Sequence, residues 1–433
     1  MKLLKSKTFK AAAAVGLVAV LAACSGGTDA STSAETEVSL WSLTGGAEPM
    51  VRASVIAWNE ENPDRPITHE LFANDVFNEN IRIAIGSGNA PTLIHSWSGG
   101  PLREYVANGQ VIDLTEGTTD LVARLIPAVA ANGVVDGRQF AVPNGQTQMI
   151  NFYYNREIFD AAGVSAPTTF DELLDVIDAL NDYGVIPISL AAGSRWPLLM
   201  WIQLLTDRIG GPEVFQAVID GQEGSWNHPA MVEAVDTIIN LVDRGAFGQA
   251  FGSVMADGQA DLALVHTGTA AMVLQLGSAF PNFVNNAPDF VASGNLGWFA
   301  FPSNAGWQGN PANVVGNPSH FWSISADATD EAQAIAMEFL QTQVLNDDRI
   351  ADLLDMGAIP PILGIEDRIS GHQYEDFMMF TYNHISNAPH FQLSWDQALG
   401  GARAQALLDN LESVFLGQIT AQQFVDAMDQ THP

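Results

Sequence analysis

The chain runs to 433 residues, enough for two or three domains of roughly 150 each and too long for a single core. Its 49 acidic side chains against 17 basic ones, a net charge of −32, argue against a nucleic-acid or anionic-headgroup partner. The single cysteine excludes an intramolecular disulfide.

Residues 1–23 have the three parts of an export signal. Lys2, Lys5, Lys7 and Lys10 form a positive start, and Ala11 to Ala23 is an uncharged apolar stretch closed by small residues. At 13 residues the stretch falls short of the roughly 20 that cross a bilayer as a helix, so it reads as cleaved and not as spanning. Its end, Leu21-Ala22-Ala23-Cys24, resembles the lipobox of bacterial lipoproteins, in which the cysteine is lipidated and becomes the first mature residue. A chance thiol behind an ordinary cleavage site is the competing reading. Residues 24–37 carry no large apolar side chain and read as a flexible tether, the run "SGGTDASTSAET" reaching on the order of 20 Å. All four lysines fall in the removed segment, which leaves 13 arginines against 49 acids, a formal charge of −36, on residues 24–433. That acidity reads as solubility or as the mark of a saline habitat, and no site is assigned to it. No later stretch is apolar enough to span a membrane.

Along the body, strand and helix signals alternate. "EVSLWSL", "PITHELF", "PTLIHSW" and "VIPISLA" are short β-rich runs bounded by proline or turn residues. "TFDELLDVIDAL" opens with a capping box, Thr169 and Glu172, and sets Leu173, Val176, Ile177 and Leu180 on one face before Gly184. "TDEAQAIAMEFL" repeats the design with Thr329 as cap and Ala332, Ile335, Ala336, Phe339 and Leu340 as its stripe. The Asp136-Gly137 pair in "GVVDGRQFAVP" signals a hairpin. The composite predicts an α/β protein with mostly parallel sheets.

Signatures of catalysis are sparse. There is no nucleophile elbow, Walker loop or His-Glu-x-x-His, and in "GSGNAP" Pro91 stands where a dinucleotide loop needs glycine. Of nine histidines only His384 and His390 are close, at a spacing that puts them on different faces of a helix, so no metal site and no cofactor is expected. With 49 acids some carboxylates must be neighbours, yet no motif positions a glycosidase pair.

The aromatic residues are more informative. Of ten tryptophans, Trp41, Trp97, Trp196, Trp322 and Trp395 stand at expected strand ends or in turns rich in Gly, Asn and Ser. In α/β sheets the ligand crevice opens beyond the carboxyl ends of strands, so these positions converge on a cleft more readily than helix interiors do. A tryptophan at any one of them is as readily a plug between core and loop. Flat rings near Asn144, Gln146, Asn317, His320, Asp75 and Asp396 suit a sugar, whose C–H face stacks on an aromatic while its hydroxyls need donors and acceptors in the plane.

From about Val38 to the C-terminus the chain resembles the extracellular solute-binding proteins of ABC sugar importers, related in plan to maltose-binding protein. The resemblance is carried in order by "VIAWNEENPDRPIT", "IRIAIGSGNAP", "LREYVANGQVIDLT", "VDGRQFAVP", "FYYNREIFDAAGV", "PTTFDELLDVIDAL", "GTAAMVLQLGS", "GWFAFP", "GAIPP" and "WDQAL". Two departures stand out. The family's Pro-Asp is Pro91-Thr92 here, and its Gly-x-Trp is Gly277-Ser278-Ala279, with Phe280 the candidate replacement for the missing ring.

The resemblance implies a two-lobe α/β fold of the periplasmic-binding-protein type II, with three hinge crossings near Asn144, Gly316 and Met356 to Pro360. Lobe one would hold residues 38–144 and 317–357, and lobe two 145–316 and 358–433. It implies a neutral carbohydrate, an oligosaccharide for preference, bridging the cleft. Trp41, Thr44, Asp75 and Trp97 would reach it from lobe one, and Trp196, Trp395 and Asp396 from lobe two. Asn144, Asn317, His320 and Trp322 would line the crossings, with Gln146 a further substrate-binding candidate. Further implications are a monomer lipidated at Cys24, held at the outer face of the cytoplasmic membrane, with ABC permease subunits as partners, no enzymatic activity and no nucleic acid. The alternatives are a secreted glycoside hydrolase, a surface sugar binder without a transporter, or a binder of another polar solute such as a polyol or sugar phosphate.

Overall fold

The computed structural model describes residues 37–44, 48–72, 74–96 and 98–431, except for the side chains of residues 74, 75, 78 and 79. The signal, the tether and Cys24 lie outside the described residues. No described helix is long and apolar enough to cross a membrane.

Two sheets organise the chain. The first contains β1 (Val38–Leu43), β2 (Ile67–Phe72) and β3 (Leu93–Ser96) as parallel neighbours in the order β2-β1-β3. A two-stranded hairpin, β4 (Val134–Val135) and β5 (Arg138–Gln139), stands apart, its turn made by Asp136 and Gly137 with φ of 50° and 78° as a type I′ turn requires. β6 (Val142–Pro143) is the last strand before the chain crosses to the second sheet with β7 (Gln148–Asn155). That sheet gains β8 (Ile186–Ser189), β9 (Ala270–Leu276), β10 (Leu296–Ala300) and β11 (Val314–Asn317) before the chain returns to the first sheet as β12 (Phe321–Ile324). Finally β13 (Phe391–Leu393) pairs with β11. The strand orders are β2-β1-β3-β12-β6 and β13-β11-β7-β9-β8, with β10 on β7.

The expectation of mostly parallel sheets is corrected, because both sheets are mixed. β12 runs antiparallel to both β3 and β6, and β7 is antiparallel to β9, β10 and β11. The strands that pass between sheets arrive from the far end, which reverses their direction relative to the strands laid down by helical crossovers.

The local signals are realised closely. The Thr169 hydroxyl accepts from the Glu172 N–H while the Glu172 carboxylate accepts from the Thr169 N–H, and the helix Phe170–Tyr183 ends at Gly184 with φ 91°. Thr329 caps Asp330–Gln343, and all five residues of its expected stripe are buried.

A large core under the second sheet gathers the helices Phe170–Tyr183, Trp196–Gly210 and Pro229–Asp243. The first sheet has one face on the core that contains Trp58, Trp322 and Phe339, and its other face on a smaller cluster around Phe77 and Ile94. Ile359, Ile362, Ile369, Tyr382 and Ile385 belong to the first sheet's main core, although the sequence reading put residues 358–433 wholly in the other lobe. Phe377 of the same stretch instead stacks on Phe280 under the second sheet, ring centroids 3.9 Å apart.

Candidate functional site

The chain passes from the first sheet to the second at Asn144–Thr147, between β6 and β7, and back at residues 318–320, between β11 and β12. The two passages are tied to each other. The Asn144 N–H donates to the His320 carbonyl at 2.8 Å, and the Ser319 hydroxyl lies 3.2 Å from both the N–H and the carbonyl of Gly145. A third segment joins them where the Thr147 N–H donates to the Ile359 carbonyl at 2.8 Å. Gly316 permits the close approach of β11 to β7 beside the passages: its φ is 150°, and a Cβ there would meet the Gln148 carbonyl oxygen at 2.2 Å.

Around these passages sit polar side chains taken out of water. Asn144 is 2% exposed, and its Nδ2 has no hydrogen-bond partner among the described residues. The Asn144 carbonyl accepts from the buried guanidinium of Arg349 at 3.0 Å, and burial pushes that arginine down to about 10. Gln146 and Asn317 are also buried, and the Asn317 Oδ1 accepts from Gln397 at 3.2 Å. The other amide atom of Gln397 is buried without a described partner. Beside it the Asp396 carboxyl, accepting from the Gln397 N–H at 2.9 Å, is pushed up to about 6 by desolvation. The His320 ring lies edge-on to His95, centroids 4.9 Å apart. Burial holds His320 near 4 and His95 well below the usual imidazole value, so both are neutral at pH 7.

The structure therefore brings Asn144, Gln146, Asn317, His320 and Asp396 to the crossings, and separates the tryptophans. Trp322 and Trp395 are 1% and 0% exposed and belong to cores: Trp322 packs on Phe339, while Trp395 lies flat on Phe215 at 4.0 Å and edge-on to Trp226. Each faces inward from its element, so the expectation that they line the cleft is corrected. Phe280 is likewise buried against Phe377 and offers no replacement platform. Trp196, the first residue of its helix, is half-buried and follows β8 in the chain after the turn Ala192–Ser194. Trp41 is half-buried on β1, its indole N–H 3.3 Å from Glu70 and its ring 4.8 Å from Phe72. Thr44 is exposed one residue past β1, with its N–H donating to the Phe72 carbonyl. Trp97 and the Asp75 side chain lie outside the described residues. Thr92, where the family carries Asp, clips β3 to β1 through paired contacts with Ser39.

Sequence reasoning missed His95, Gln397 and Arg349. His95 sits at the carboxyl end of β3, a signal that was available. Arg349 is joined to Asn144 across 205 residues, which no local pattern announces.

Amides, neutral imidazoles and one desolvated carboxyl can exchange hydrogen bonds with a polar uncharged ligand, and a half-buried indole has the chemistry to stack on one. The described residues contain no group of three or more His, Cys, Asp or Glu able to hold a metal ion.

Comparison with known proteins bears on the family and the fold. Residues 41–347 match the family described as bacterial extracellular solute-binding protein. The chain is 24% identical over 408 residues to the xylose/arabinose-binding protein XacG of Haloferax volcanii, covering 89% of this chain and 83% of that one. A structure from work on xylan utilization by Caldanaerobius polysaccharolyticus matches with a TM-score of 0.80 and 26% identity, over 92% of this chain and 100% of the other. Maltose-bound MalE3 of T. maritima shares the fold at a TM-score of 0.74 and 16% identity, over 91% and 98% of the two chains. The chain belongs to the bacterial extracellular solute-binding proteins, a family of binding proteins and not of enzymes.

Proposed function

We propose that this protein captures a neutral oligosaccharide built from pentoses and hands it to an ABC permease. The observation that carries the proposal is the cluster of buried amides, neutral imidazoles and one carboxyl at the crossings, centred on Asn144. An amide held out of water without a partner costs about 1–3 kcal/mol, a cost that a ligand hydroxyl can relieve. Arg349, the arginine at the Asn144 crossing, is buried and already donates to the Asn144 carbonyl, which favours a neutral sugar over a sugar phosphate. Half-buried Trp41 and Trp196 supply stacking faces, and Trp97 and Asp75 are proposed to complete the site from the first lobe. The pentose identity is drawn from the xylose/arabinose-binding relative and from the neighbour in xylan utilization. Rotation of the lobes about the crossings would enclose the sugar, and the closed form would be what the permease reads.

Anchoring at the outer face of the cytoplasmic membrane through a lipid on Cys24 belongs to the same proposal, supported by the lipobox-like Leu21-Ala22-Ala23-Cys24. Cys24→Ser should release the protein from membranes with its sugar affinity unchanged; retention of the variant on membranes would remove the anchor from the account.

A thermal-shift panel of xylotriose, arabinotriose, chitotriose and maltotriose tests the ligand class. A saccharide at 100 times its dissociation constant adds about 2.7 kcal/mol of stability, a shift of a few degrees. The pentose oligosaccharides should give the larger shifts and be recovered intact. Cleavage of any of them would favour the hydrolase instead.

A further inference from the structure

Arg195 has φ 60° and ψ −51°, a conformation that side chains other than glycine rarely adopt, and it stands immediately before Trp196. It caps the helix Trp196–Gly210 without a side-chain capping bond. Its side chain is engaged elsewhere: Nη1 lies 2.7 Å from Asp409 and Nε 3.0 Å from Glu412, two carboxylates one turn apart on the helix Gly401–Phe415. On the other side of the loop the Gly193 N–H donates to the Val254 carbonyl at 3.0 Å, and the Ser194 hydroxyl accepts from the Ala256 N–H at 2.9 Å. Three consecutive residues are thus pinned between a helix and a neighbouring turn. The Arg195 carbonyl accepts from the Leu198 N–H at 2.9 Å, so its dihedrals set where the helix begins and the direction in which Trp196 leaves the backbone.

We propose that Arg195 is a positioning residue for sugar binding: its two ion pairs hold the loop in a strained conformation that presents the Trp196 ring to the ligand. This rests on the reading of Trp196 as a stacking face. Arg195 touches no sugar in this arrangement and acts through Trp196. A ring held in place before binding loses less freedom when the sugar arrives, so release of the clamp weakens binding without removing a contact. Lysine cannot replace the fork, because one ammonium does not reach two carboxylates in a fixed plane.

The test is a double-mutant cycle titrated with xylotriose, with melting temperatures measured on every variant. Trp196→Ala should raise the dissociation constant about thirtyfold. Arg195→Ala should raise it about tenfold with a melting temperature within a few degrees of wild type, and Arg195→Lys should recover part of that loss. The double variant should bind no more weakly than Trp196→Ala alone, since the arginine acts only through the ring. Full affinity in Arg195→Ala, or losses that multiply in the double variant, would overturn the positioning role while leaving Trp196 in the site. Unchanged affinity in Trp196→Ala, or a wild-type chain that does not bind xylotriose, would overturn the site reading and the positioning role with it.

Discussion

Trp196 and Trp395 both stand at the start of a helix that follows a strand of the second sheet, yet their surroundings differ. Trp395 is sealed between Phe215 and Trp226 with no exposed surface, whereas Trp196 is half-buried and directly follows a loop clamped from two sides. The contrast extends to the crossings. An unpaired buried donor does not by itself mark the site, for the indole N–H groups of Trp322 and Trp395 are also unpaired among the described residues. At Asn144 the open amide stands with Asn317, Gln397, Asp396 and His320 near the passages between the sheets, and it is this clustering that the proposed site rests on.

The largest expected effect separates the two tryptophans. Trp395→Ala removes a fully buried ring and should cost about 3–5 kcal/mol of stability while the folded fraction binds sugar normally. Calorimetric melting and titration of one sample read both quantities; a normal melting temperature with lost affinity would return Trp395 to the site. Trp196→Ala should do the reverse, losing about 2 kcal/mol of binding energy with little change in melting. A smaller effect is expected at the crossing. Asn144→Ala should weaken binding by about 1–2 kcal/mol, and stability should hold because an unpartnered buried amide is removed. A large fall in melting temperature would show instead that the Asn144 side chain is a structural strut.

The smallest effects concern pH, and their signs oppose. His320 is held near 4 in the fold against an ordinary 6.5, so the unfolded chain binds more protons between those values. The stability it contributes is present above pH 6.5 and lost as pH falls toward 4, and His320→Gln should flatten that limb. Asp396 is raised to about 6 from 3.8, so its contribution is present below pH 3.8 and lost as pH rises through 6. Asp396→Asn should therefore stabilise the protein at neutral pH and make little difference near pH 3.5. Urea unfolding midpoints across pH 3.5–8 measure both; parallel profiles for wild type and variants would remove the desolvated groups from the site.

Much of the fold was legible because its signals are local. The capping box at Thr169, the stripe behind Thr329 and the Asp136-Gly137 turn are each decided within a few residues, and the structure realises them. The antiparallel returns of β7 and β12 were not legible, since their partners lie far along the chain and strand patterning carries no direction. Asn144, Asn317 and His320 were legible as residues of the passages between the sheets because turns rich in Gly and Pro stand there in the sequence. Trp322 was misplaced for a reason visible afterwards: it follows Phe321, and two large apolar neighbours fit a strand buried on both faces better than one with a wet side. Arg349 supports the crossing from a helix 205 residues away, a relation that only the folded chain contains.

The central claim is that a sugar is bound at the crossings and left chemically unchanged. Isothermal titration of the purified chain with xylotriose, followed by chromatography of the recovered sugar, tests it most directly. The account predicts saturable one-to-one binding, intact xylotriose, and weaker binding in Asn144→Ala and Trp196→Ala but not in the folded fraction of Trp395→Ala. Absence of binding to xylotriose and to every other saccharide of the panel, or the appearance of shorter products, would contradict it.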